Sequence, residues 1–234
     1  MLKITKVLNE SGECLQRFFL IKSNRFSAAH TNKHYIEEVI LDHRLSLVAS
    51  CGEGKIIKLL KARTWHEKFK LLYGKSRVHI EFNGAKKLSA AGVGTPKVYE
   101  MGIRFPWLFN SKFISYYIME DLRCSGAFLV KEMIKSGDMD DKNVTKFGEL
   151  LLKDLIKMRI NKILYTDLHF GNIFYDLNKS KVYFIDTGAK TYQGNNFDIK
   201  FFNILDKFFK GAAGQLFSDK NISDMLLRIK SCPE

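Results

Sequence analysis

Short apolar runs separated by turn residues occupy the first half of the chain, a pattern typical of β-strands. The runs at 38–41, 45–50 and 56–60 follow one another closely, and Gly52 and Gly54 mark a turn before the last of them. They therefore predict an antiparallel meander. Three further runs are also predicted to be strands: 17–22, 95–101 and 113–119.

Apolar residues at helical spacing predict two helices in the same half. In residues 77–91 they recur every three or four positions, and Gly92 is placed to end that helix. Residues 61–75 are basic and aromatic, and they predict a helix just before it. The first half is therefore expected to be a sheet with one or two helices.

The second half of the chain has a different pattern, in which helices dominate. Asp140 or Asp141 can cap a helix that runs to about Arg159, and residues 197–209 predict a final helix. Two short apolar runs are predicted to be strands, each followed closely by an aspartate: 163–165 and 182–185.

A sheet-rich half followed by a helix-rich half predicts an α+β fold with two lobes. We expect an N-lobe over residues 1–119, which holds the antiparallel sheet and its helix. A connecting hinge is expected at 120–123, and a compact helical C-lobe over 124–234.

Charge and cysteine spacing narrow the class of protein. The 234 residues include 38 Lys and Arg against 25 Asp and Glu, so the net charge is +13, which predicts a polyanionic partner. The four cysteines are widely spaced, as is typical of reduced thiols in a cytoplasmic protein. The N-terminal residues lack the apolar core of a signal peptide, and no uncharged apolar run approaches the ~20 residues that cross a bilayer. We therefore expect a cytoplasmic protein that does not cross the membrane.

The most informative stretch is Y-T-D-L-H-F-G-N, which puts Asp167 directly after a short strand and Asn172 five residues later. A second carboxylate, Asp186, follows in F-I-D-T-G, 19 residues after the first. Phosphoryl transfer uses such groups, because one carboxylate orients the attacking hydroxyl while an amide and a second carboxylate hold Mg²⁺ on the ATP phosphates. Asp and Asn also favour turns, but the interval between the two motifs favours the catalytic interpretation. We expect His169 to hydrogen-bond the loop.

These two motifs resemble the catalytic and metal-binding segments of small-molecule and atypical kinases. Two earlier segments, G-K-I-I-K-L-L-K and R-V-H-I-E-F-N-G-A-K-K-L-S-A-A-G-V-G-T-P-K-V-Y, resemble the lipopolysaccharide kinase family. That family phosphorylates heptose or Kdo sugars of the lipopolysaccharide core. The resemblance covers residues 38–205 and implies a bilobal protein-kinase-like fold.

The resemblance also implies which residues of the first half bind the nucleotide. Lys58 matches the strand lysine that holds the α- and β-phosphates, and Glu81 matches the helix glutamate that pairs with it. Neighbouring lysines compete for the first role, but strand alternation puts Lys58 on one face with two apolar residues. Glu120 and Leu122 fall where the hinge borders the adenine.

In the second half, the resemblance implies one catalytic residue and two metal ligands. Asp167 matches the catalytic base, and Asn172 and Asp186 match the ligands of Mg²⁺. The implied cofactors are therefore ATP and Mg²⁺.

Several departures from the kinase pattern bear on the acceptor. The turn expected at 42–44 contains no glycine, so a glycine-rich phosphate loop is missing. Tyr165 and Thr166 replace the usual His-Arg pair, and Thr187 replaces the Phe after the metal-binding Asp. No A-P-E segment follows, which argues against a protein kinase, since that region seats a peptide substrate.

The implied activity is ATP-dependent phosphorylation of a sugar hydroxyl, with heptose or Kdo of the lipopolysaccharide inner core as the expected acceptor. The expected partners are this anionic glycolipid and an anionic membrane surface, at the inner face of the inner membrane. Nucleic acid is not expected, because no zinc finger, aromatic RNA-binding strand or basic zipper is present. The pattern leaves the oligomeric state open.

One strongly basic segment of the first half bears on the expected contact with an anionic membrane. Residues 53–97 hold 11 Lys and Arg against three Asp and Glu, a net charge of +8. Within it, Trp65, Phe69, Leu72 and Tyr73 lie at helical spacing. They fit either the core or an interfacial anchor, and we expect the core.

Other activities fit parts of the pattern. A small atypical protein kinase, of the RIO or tRNA-modification-associated type, shares the catalytic motifs, and an aminoglycoside-type phosphotransferase shares D-L-H-x-x-N. A pseudokinase that binds anionic surfaces fits the charge and the missing glycine loop, although the intact set of polar residues argues against it. D-T-G also resembles the active-site turn of aspartic proteases, but these need two such aspartates and the chain has one D-T-G.

Overall fold

A computed structural model of the chain describes residues 4–23, 33–104, 112–186, 188–211, 214 and 216–232. Thr187, noted above as a departure from the kinase pattern, lies outside the described residues. The chain forms two compact units. The first consists of Met1–Phe82 and Lys97–Asp121, and the second of Asn83–Pro96 and Leu122–Glu234. The expected hinge at 120–123 stays a prediction.

The first unit is built on an eight-stranded sheet with the order β3-β1-β2-β7-β8-β6-β5-β4. The strands are β1 Ile4–Leu8, β2 Cys14–Ser23, β3 Lys33–Tyr35, β4 Glu38–His43, β5 Ser46–Ser50, β6 Lys55–Leu60, β7 Val98–Ile103 and β8 Ser115–Glu120. Neighbouring strands are antiparallel, apart from the parallel pair β1 and β3. The predicted meander, formed by β4, β5 and β6, is confirmed, whereas β1 and β3 were not predicted.

Strand alternation divides the residues of β6 between the two faces of the sheet. Ile57 and Leu59 are fully buried in an apolar cluster that also contains Tyr116 and Ile118 of β8. Lys58 lies between them in sequence and therefore points to the opposite face.

Two helices follow β6. Helix α1 covers Trp65–Leu72, which is shorter than predicted, and α2 covers Arg77–Ala90. The predicted end of α2 is confirmed, because Gly92 adopts φ = +70°, a left-handed conformation that glycine reaches without strain. The expectation that the aromatic residues of α1 lie in the core is wrong for the three described side chains, Trp65, Phe69 and Tyr73, which are exposed.

The second unit is rich in helices. They are α3 Val130–Ser136, α4 Asp141–Ile160, α5 Phe197–Lys210 and α6 Asp219–Ser231. The N-cap of α4 is Asp140, whose side chain accepts a hydrogen bond from the backbone N–H of Asn143 at 2.7 Å. Of the two predicted caps, Asp140 is therefore the one used. Helices α3 and α6 were not predicted.

Two small sheets complete the second unit. A three-stranded antiparallel sheet contains β9 Ala127–Leu129, β11 Ile173–Asp176 and β12 Lys181–Phe184, in the order β12-β11-β9. A two-stranded sheet pairs β10 Ile163–Leu164 with β13 Lys190–Thr191. Side chains of α4, α5, β11 and β12 share one apolar core, in which Phe147, Leu151, Ile173, Phe184 and Leu205 are almost fully buried.

A sheet-rich first unit and a helix-rich second unit confirm the predicted α+β fold. The sheet is larger than expected, because β1, β2 and β3 extend it beyond the edge of β7. Within the described part of the chain, no helix is both long enough and apolar enough to span a bilayer.

Candidate functional site

A buried ion pair lies in the first unit, on the face of the sheet opposite its apolar cluster. The Nζ of Lys58, on β6, lies 3.1 Å from Oε2 of Glu81, on α2, and both residues are buried. The hydroxyl of Tyr117 donates a second hydrogen bond to the same Oε2 at 2.7 Å. Tyr117 is the residue of β8 opposite Lys58 in the sheet register, which explains why it reaches the pair.

Burial gives this pair a high energetic cost unless both charges are compensated, because neither group is well hydrated. The short Lys58–Glu81 contact and the hydrogen bond from Tyr117 supply that compensation. The lysine is thus held as a fixed cation on the sheet, which suits the binding of phosphate oxygens.

The glycine-free turn between β4 and β5 lies in the same unit and is held by basic side chains. Strand β4 continues to His43, so the turn is at Arg44 and Leu45, slightly later than predicted. Lys61 donates to the backbone carbonyl of His43 at 2.7 Å, and Arg77 donates to that of Leu45 at 2.8 Å. These bonds fix the turn without glycine.

The side chain of Asp42 contacts Lys61, the lysine that holds this turn. It accepts a hydrogen bond from Nζ of Lys61. That bond and the positive charges of Lys61 and Lys112 lower the pKa of the Asp42 carboxyl. The carboxylate therefore stays ionised and keeps Lys61 at the turn.

In the second unit, Asp167 and Asn172 are joined directly. The short 3₁₀ helix Phe170–Asn172 returns the chain to the aspartate, and Nδ2 of Asn172 donates to both the backbone carbonyl and Oδ2 of Asp167, each at 3.1 Å. Asn172 is buried, whereas the Asp167 side chain is 67% exposed. The aspartate is therefore oriented by a buried neighbour and open to a substrate.

His169 closes the same loop from the other side. Its Nδ1 accepts a hydrogen bond from the backbone N–H of Gly171 at 3.1 Å. The other ring nitrogen, Nε2, lies 3.5 Å from Oδ1 of Asp167. As expected from the sequence, His169 hydrogen-bonds the loop.

Ile185, the residue before Asp186, is tied to this loop by two hydrogen bonds. The backbone N–H of Ile185 donates to the carbonyl of Asn172 at 2.9 Å. The carbonyl of Ile185 accepts a hydrogen bond from the hydroxyl of Tyr165. Tyr165 and Asn172, the two ends of the Y-T-D-L-H-F-G-N segment, thus both hydrogen-bond Ile185.

Asp186 itself has a left-handed backbone with φ = +51°, which is uncommon for a residue other than glycine. Its carbonyl accepts a hydrogen bond from the N–H of Gly188 at 2.7 Å. Asp tolerates this region better than most residues. Backbone conformations of this kind are frequent at functional sites.

Gly94 is a structural position near this segment that the sequence analysis did not single out. A Cβ built on Gly94 would lie 1.8 Å from the backbone carbonyl oxygen of Val182, so only glycine fits against β12. The carbonyl of Gly94 in turn accepts a hydrogen bond from the N–H of Phe184 at 2.9 Å. The G-V-G-T-P segment therefore packs against β12, the strand that leads to Asp186. In the sequence, the second glycine of this segment is the feature that could have identified the position.

The donor set of the second unit fits a magnesium ion. Because both hydrogens of the Asn172 amide are used on Asp167, Oδ1 is the atom left for a cation, and Asp186 adds a carboxylate. Oxygen ligands of this kind suit Mg²⁺, which usually binds one or two carboxylates together with water and substrate phosphates. Among the described residues, no cluster of three or more His, Cys, Asp or Glu forms.

The two residues expected near the adenine have different surroundings. In the first unit, Glu120 accepts a hydrogen bond on Oε2 from the N–H of Lys97 at 3.1 Å. In the second unit, Leu122 is buried against Ala127 and Tyr183. Their contact with adenine stays a prediction.

Comparison with models of known protein families finds no match. Comparison with curated proteins also finds none. Solved structures similar to this chain include the bifunctional kinase-methyltransferase WbdD, at 15% identity over 94% of this chain and a TM-score of 0.48. Another is monomeric WbdD, at 19% identity over 80% of this chain and a TM-score of 0.48. The chain covers 48% and 45% of the length of these two structures, so it spans just under half of each.

Proposed function

We propose that the protein is an ATP- and Mg²⁺-dependent kinase that phosphorylates a sugar hydroxyl. The observation that carries the proposal is the double hydrogen bonding of Ile185 by Tyr165 and Asn172. These hydrogen bonds join the loop of Asp167 and Asn172 to the D-T-G segment of Asp186. Together the two segments carry the carboxylates and the amide that phosphoryl transfer uses.

Asp167 is the proposed catalytic base. Its exposed carboxylate accepts the proton of the acceptor hydroxyl on Oδ1 or Oδ2 and orients that hydroxyl for attack. Asn172 keeps the carboxylate in place through its two 3.1 Å hydrogen bonds. The Nε2 of His169 lies 3.5 Å from Oδ1 on the same side.

Asn172 and Asp186 are the proposed ligands of Mg²⁺. When bound there, the ion neutralises charge on the transferring phosphoryl group. Lys58 is proposed to bind the phosphates that precede the transferred one, with Glu81 and Tyr117 fixing its ammonium group. Most of the rate enhancement then comes from positioning and electrostatic stabilisation.

For the acceptor, we propose heptose or Kdo of the lipopolysaccharide inner core. The resemblance of the β6–α2–G-V-G-T-P region to lipopolysaccharide kinases supports this choice. The net charge of +13 supports it as well, because the core glycolipid is anionic. On this proposal the enzyme works in the cytoplasm, against the inner face of the inner membrane.

The nucleotide part of the proposal is tested by thermal unfolding with ATP, with and without Mg²⁺. A ligand that binds the folded state alone raises the free energy of unfolding by RT ln(1 + [L]/Kd), and the melting temperature rises with it. We expect a rise with Mg-ATP, a smaller one without metal, and loss of the metal-dependent part in Asp186→Asn. Asn is chosen because it tolerates the left-handed backbone at this position. Asp206→Asn, an exposed aspartate on α5, is the matched control and should respond like the wild type.

The acceptor is tested by transfer of labelled γ-phosphate. The acceptors are lipopolysaccharide core oligosaccharide from a strain in which this gene is deleted, an aminoglycoside and a generic protein substrate. Label in the oligosaccharide, with mass spectrometry showing one added phosphate on heptose or Kdo, is the expected result. Transfer to the protein or the aminoglycoside instead would replace the proposed acceptor, and no Mg-ATP binding at all would overturn the kinase assignment.

A further inference from the structure

Helix α1 exposes a row of three aromatic side chains. Trp65, Phe69 and Tyr73, the C-cap, are 58%, 41% and 75% exposed. They lie four residues apart and therefore form one stripe along the helix, which we call the aromatic ridge. The rings of Trp65 and Phe69 pack edge to face with their centroids 4.6 Å apart, so the stripe is continuous at its start.

The ridge points away from the body of the first unit. At 100° per residue, Leu71 falls on the side of α1 opposite Phe69. Leu71 is 2% exposed and is therefore the side chain that anchors the helix to the unit. In the folded unit, the Leu71 side of α1 is buried and the side that carries the aromatic ridge is exposed to solvent.

An exposed row of this kind is costly in water. Each large aromatic side chain carries about 150–250 Å² of surface. Clustered apolar groups exposed on a protein usually mark a surface that binds something. At 41–75% exposure the three side chains present at most about 440 Å², so two matched ridges would bury less than the roughly 1,200 Å², summed over both partners, of a stable protein–protein interface. The ridge is therefore small for a dimer interface and suited to shallow insertion.

Basic side chains border the ridge. Lys70 lies on one flank of the helix and Lys68 on the other, while Arg63 precedes the helix and Lys75 follows it. In 63–75, the one acidic residue is Glu67, and its carboxylate accepts a hydrogen bond from the backbone N–H of Arg63 at 2.7 Å. The charge around the ridge is thus complementary to an anionic surface.

We propose that the aromatic ridge docks the protein on a membrane surface rich in anionic lipid, with the aromatic rings at the level of the headgroups. Trp and Tyr favour this depth because their rings are apolar and their N–H or O–H groups stay hydrated. Each basic residue near such a surface contributes about 1 kcal/mol. The inference deepens the proposed function, since a lipid-anchored acceptor lies on the same surface, but its observations come from α1 and do not use the kinase residues.

The experiment measures binding to lipid vesicles without nucleotide or acceptor, so its outcome is independent of kinase activity. In a Trp107→Phe background, Trp65 is the sole tryptophan of the chain. With vesicles of phosphatidylglycerol and phosphatidylcholine, we expect a blue shift of its fluorescence and quenching by brominated acyl chains. Raising the salt from 0.1 to 1 M should reverse both, because the Debye length falls from about 10 Å to about 3 Å.

Variants locate the binding surface by co-sedimentation with the same vesicles. Replacing Trp65, Phe69 and Tyr73 together by Ser should lower the partition coefficient by about tenfold or more, since apolar burial contributes roughly 25 cal/mol per Å². Lys70→Glu should lower it by at least about fivefold. The matched control is Phe128→Ser, which removes an exposed aromatic of β9 in the second unit and should bind like the wild type.

Four results would overturn the proposal. They are the absence of vesicle binding, equal binding to vesicles of pure phosphatidylcholine, unchanged binding of the triple variant, and a concentration-dependent dimer that the triple variant abolishes. Circular dichroism of each variant separates loss of the surface from loss of the fold.

Discussion

The hydroxyl of Tyr165 donates a hydrogen bond to the backbone carbonyl of Ile185, 20 residues further along the chain. Tyr165 is buried, and its hydroxyl is the group that reaches this carbonyl. Together with the bond from the N–H of Ile185 to the carbonyl of Asn172, it fixes the start of the turn that carries Asp186. The position of the second motif therefore depends on the first.

The first prediction concerns that hydroxyl. Tyr165→Phe should lower the free energy of unfolding by about 1 kcal/mol, because a partly buried carbonyl loses its donor. Urea denaturation followed by circular dichroism measures the change. Mg-ATP binding should weaken as well, since the residue before Asp186 loses one of its hydrogen bonds.

Tyr175→Phe is the control for this substitution. Tyr175 is fully buried in the same unit, but its hydroxyl has no hydrogen-bond partner among the described residues. Burial and the neighbouring Asp176 raise the pKa of this phenol, so it stays neutral. Its removal should leave stability unchanged or raise it slightly. Equal losses in the two variants would show that the Tyr165 hydroxyl has no special role.

The second prediction concerns Gly94. Gly94→Ala puts a methyl group 1.8 Å from the carbonyl oxygen of Val182, and backbone must move to relieve it. We expect a loss of at least about 3 kcal/mol in the free energy of unfolding, at the upper end of overpacking costs. Gly137→Ala is the comparison, because a Cβ there meets nothing but the backbone has φ = +80°. That variant should lose only about 1 kcal/mol, and a smaller loss for Gly94→Ala than for Gly137→Ala would contradict the account.

The third prediction separates catalysis from nucleotide binding. Asp167→Asn keeps an oxygen that accepts the hydrogen bond from Asn172, but it cannot take a proton. The rate of transfer should fall by about 10²–10⁴. The affinity for Mg-ATP, measured by calorimetry, should change little, because Asn172 and Asp186 are intact. Turnover close to the wild-type value would exclude Asp167 as the base.

The fourth prediction concerns the buried pair of Lys58 and Glu81. Glu81→Leu leaves the ammonium group buried without its closest anion, and it should cost about 3–5 kcal/mol. In the double variant Lys58→Met/Glu81→Leu, the buried ammonium group is removed as well, so stability should return part of the way toward the wild-type value; Arg77, whose Nε lies 3.9 Å from Oε1 of Glu81, still loses its carboxylate. A double variant that loses the sum of both single losses would indicate that the two residues are not coupled. Neither the single nor the double variant should bind Mg-ATP as tightly as the wild type.

The fifth prediction is a pH dependence on the surface of the second unit. Arg228 donates two hydrogen bonds to Glu149, at 2.7 and 2.9 Å, and this lowers the pKa of the Glu149 carboxyl. A carboxyl whose folded pKa lies below its unfolded value of about 4.3 stabilises the fold above that pH. The contribution is lost as the pH falls through the folded pKa.

Because both side chains are largely exposed, the effect should be at most about 0.5 kcal/mol. It is measured as the difference in unfolding free energy between the wild type and Glu149→Gln, at pH 7 and at pH 3. The difference should be smaller at pH 3, and a difference that grows on acidification would have the wrong sign.

Elements with a repeated pattern were readable from the sequence. The meander β4–β6 and the helices α2, α4 and α5 each show several apolar residues on one face, and each was predicted close to its observed bounds. Strands β1 and β3 and helix α6 were not, since short or mostly exposed elements carry few apolar positions.

The candidate site was readable only in part. Spacing and resemblance pointed to Lys58, Glu81, Asp167 and Asn172, and the structure brings these together as two pairs, one in each unit. The bond from Tyr165 to Ile185 could not be read, because it joins a side chain to a backbone atom far along the chain. Periodicity likewise groups Trp65 with Phe69 on one face of α1 but does not say whether that face points to the core or to solvent.

The two hydrogen bonds from the Asn172 amide to Asp167 have an entropic consequence. When a freely rotating amide binds a partner through its oxygen, the amide loses rotational freedom, and this entropic cost weakens the binding. Here the rotation is already frozen by folding. The oxygen of Asn172 is thus preorganised, and a group that meets it gains the full interaction without having to orient it first.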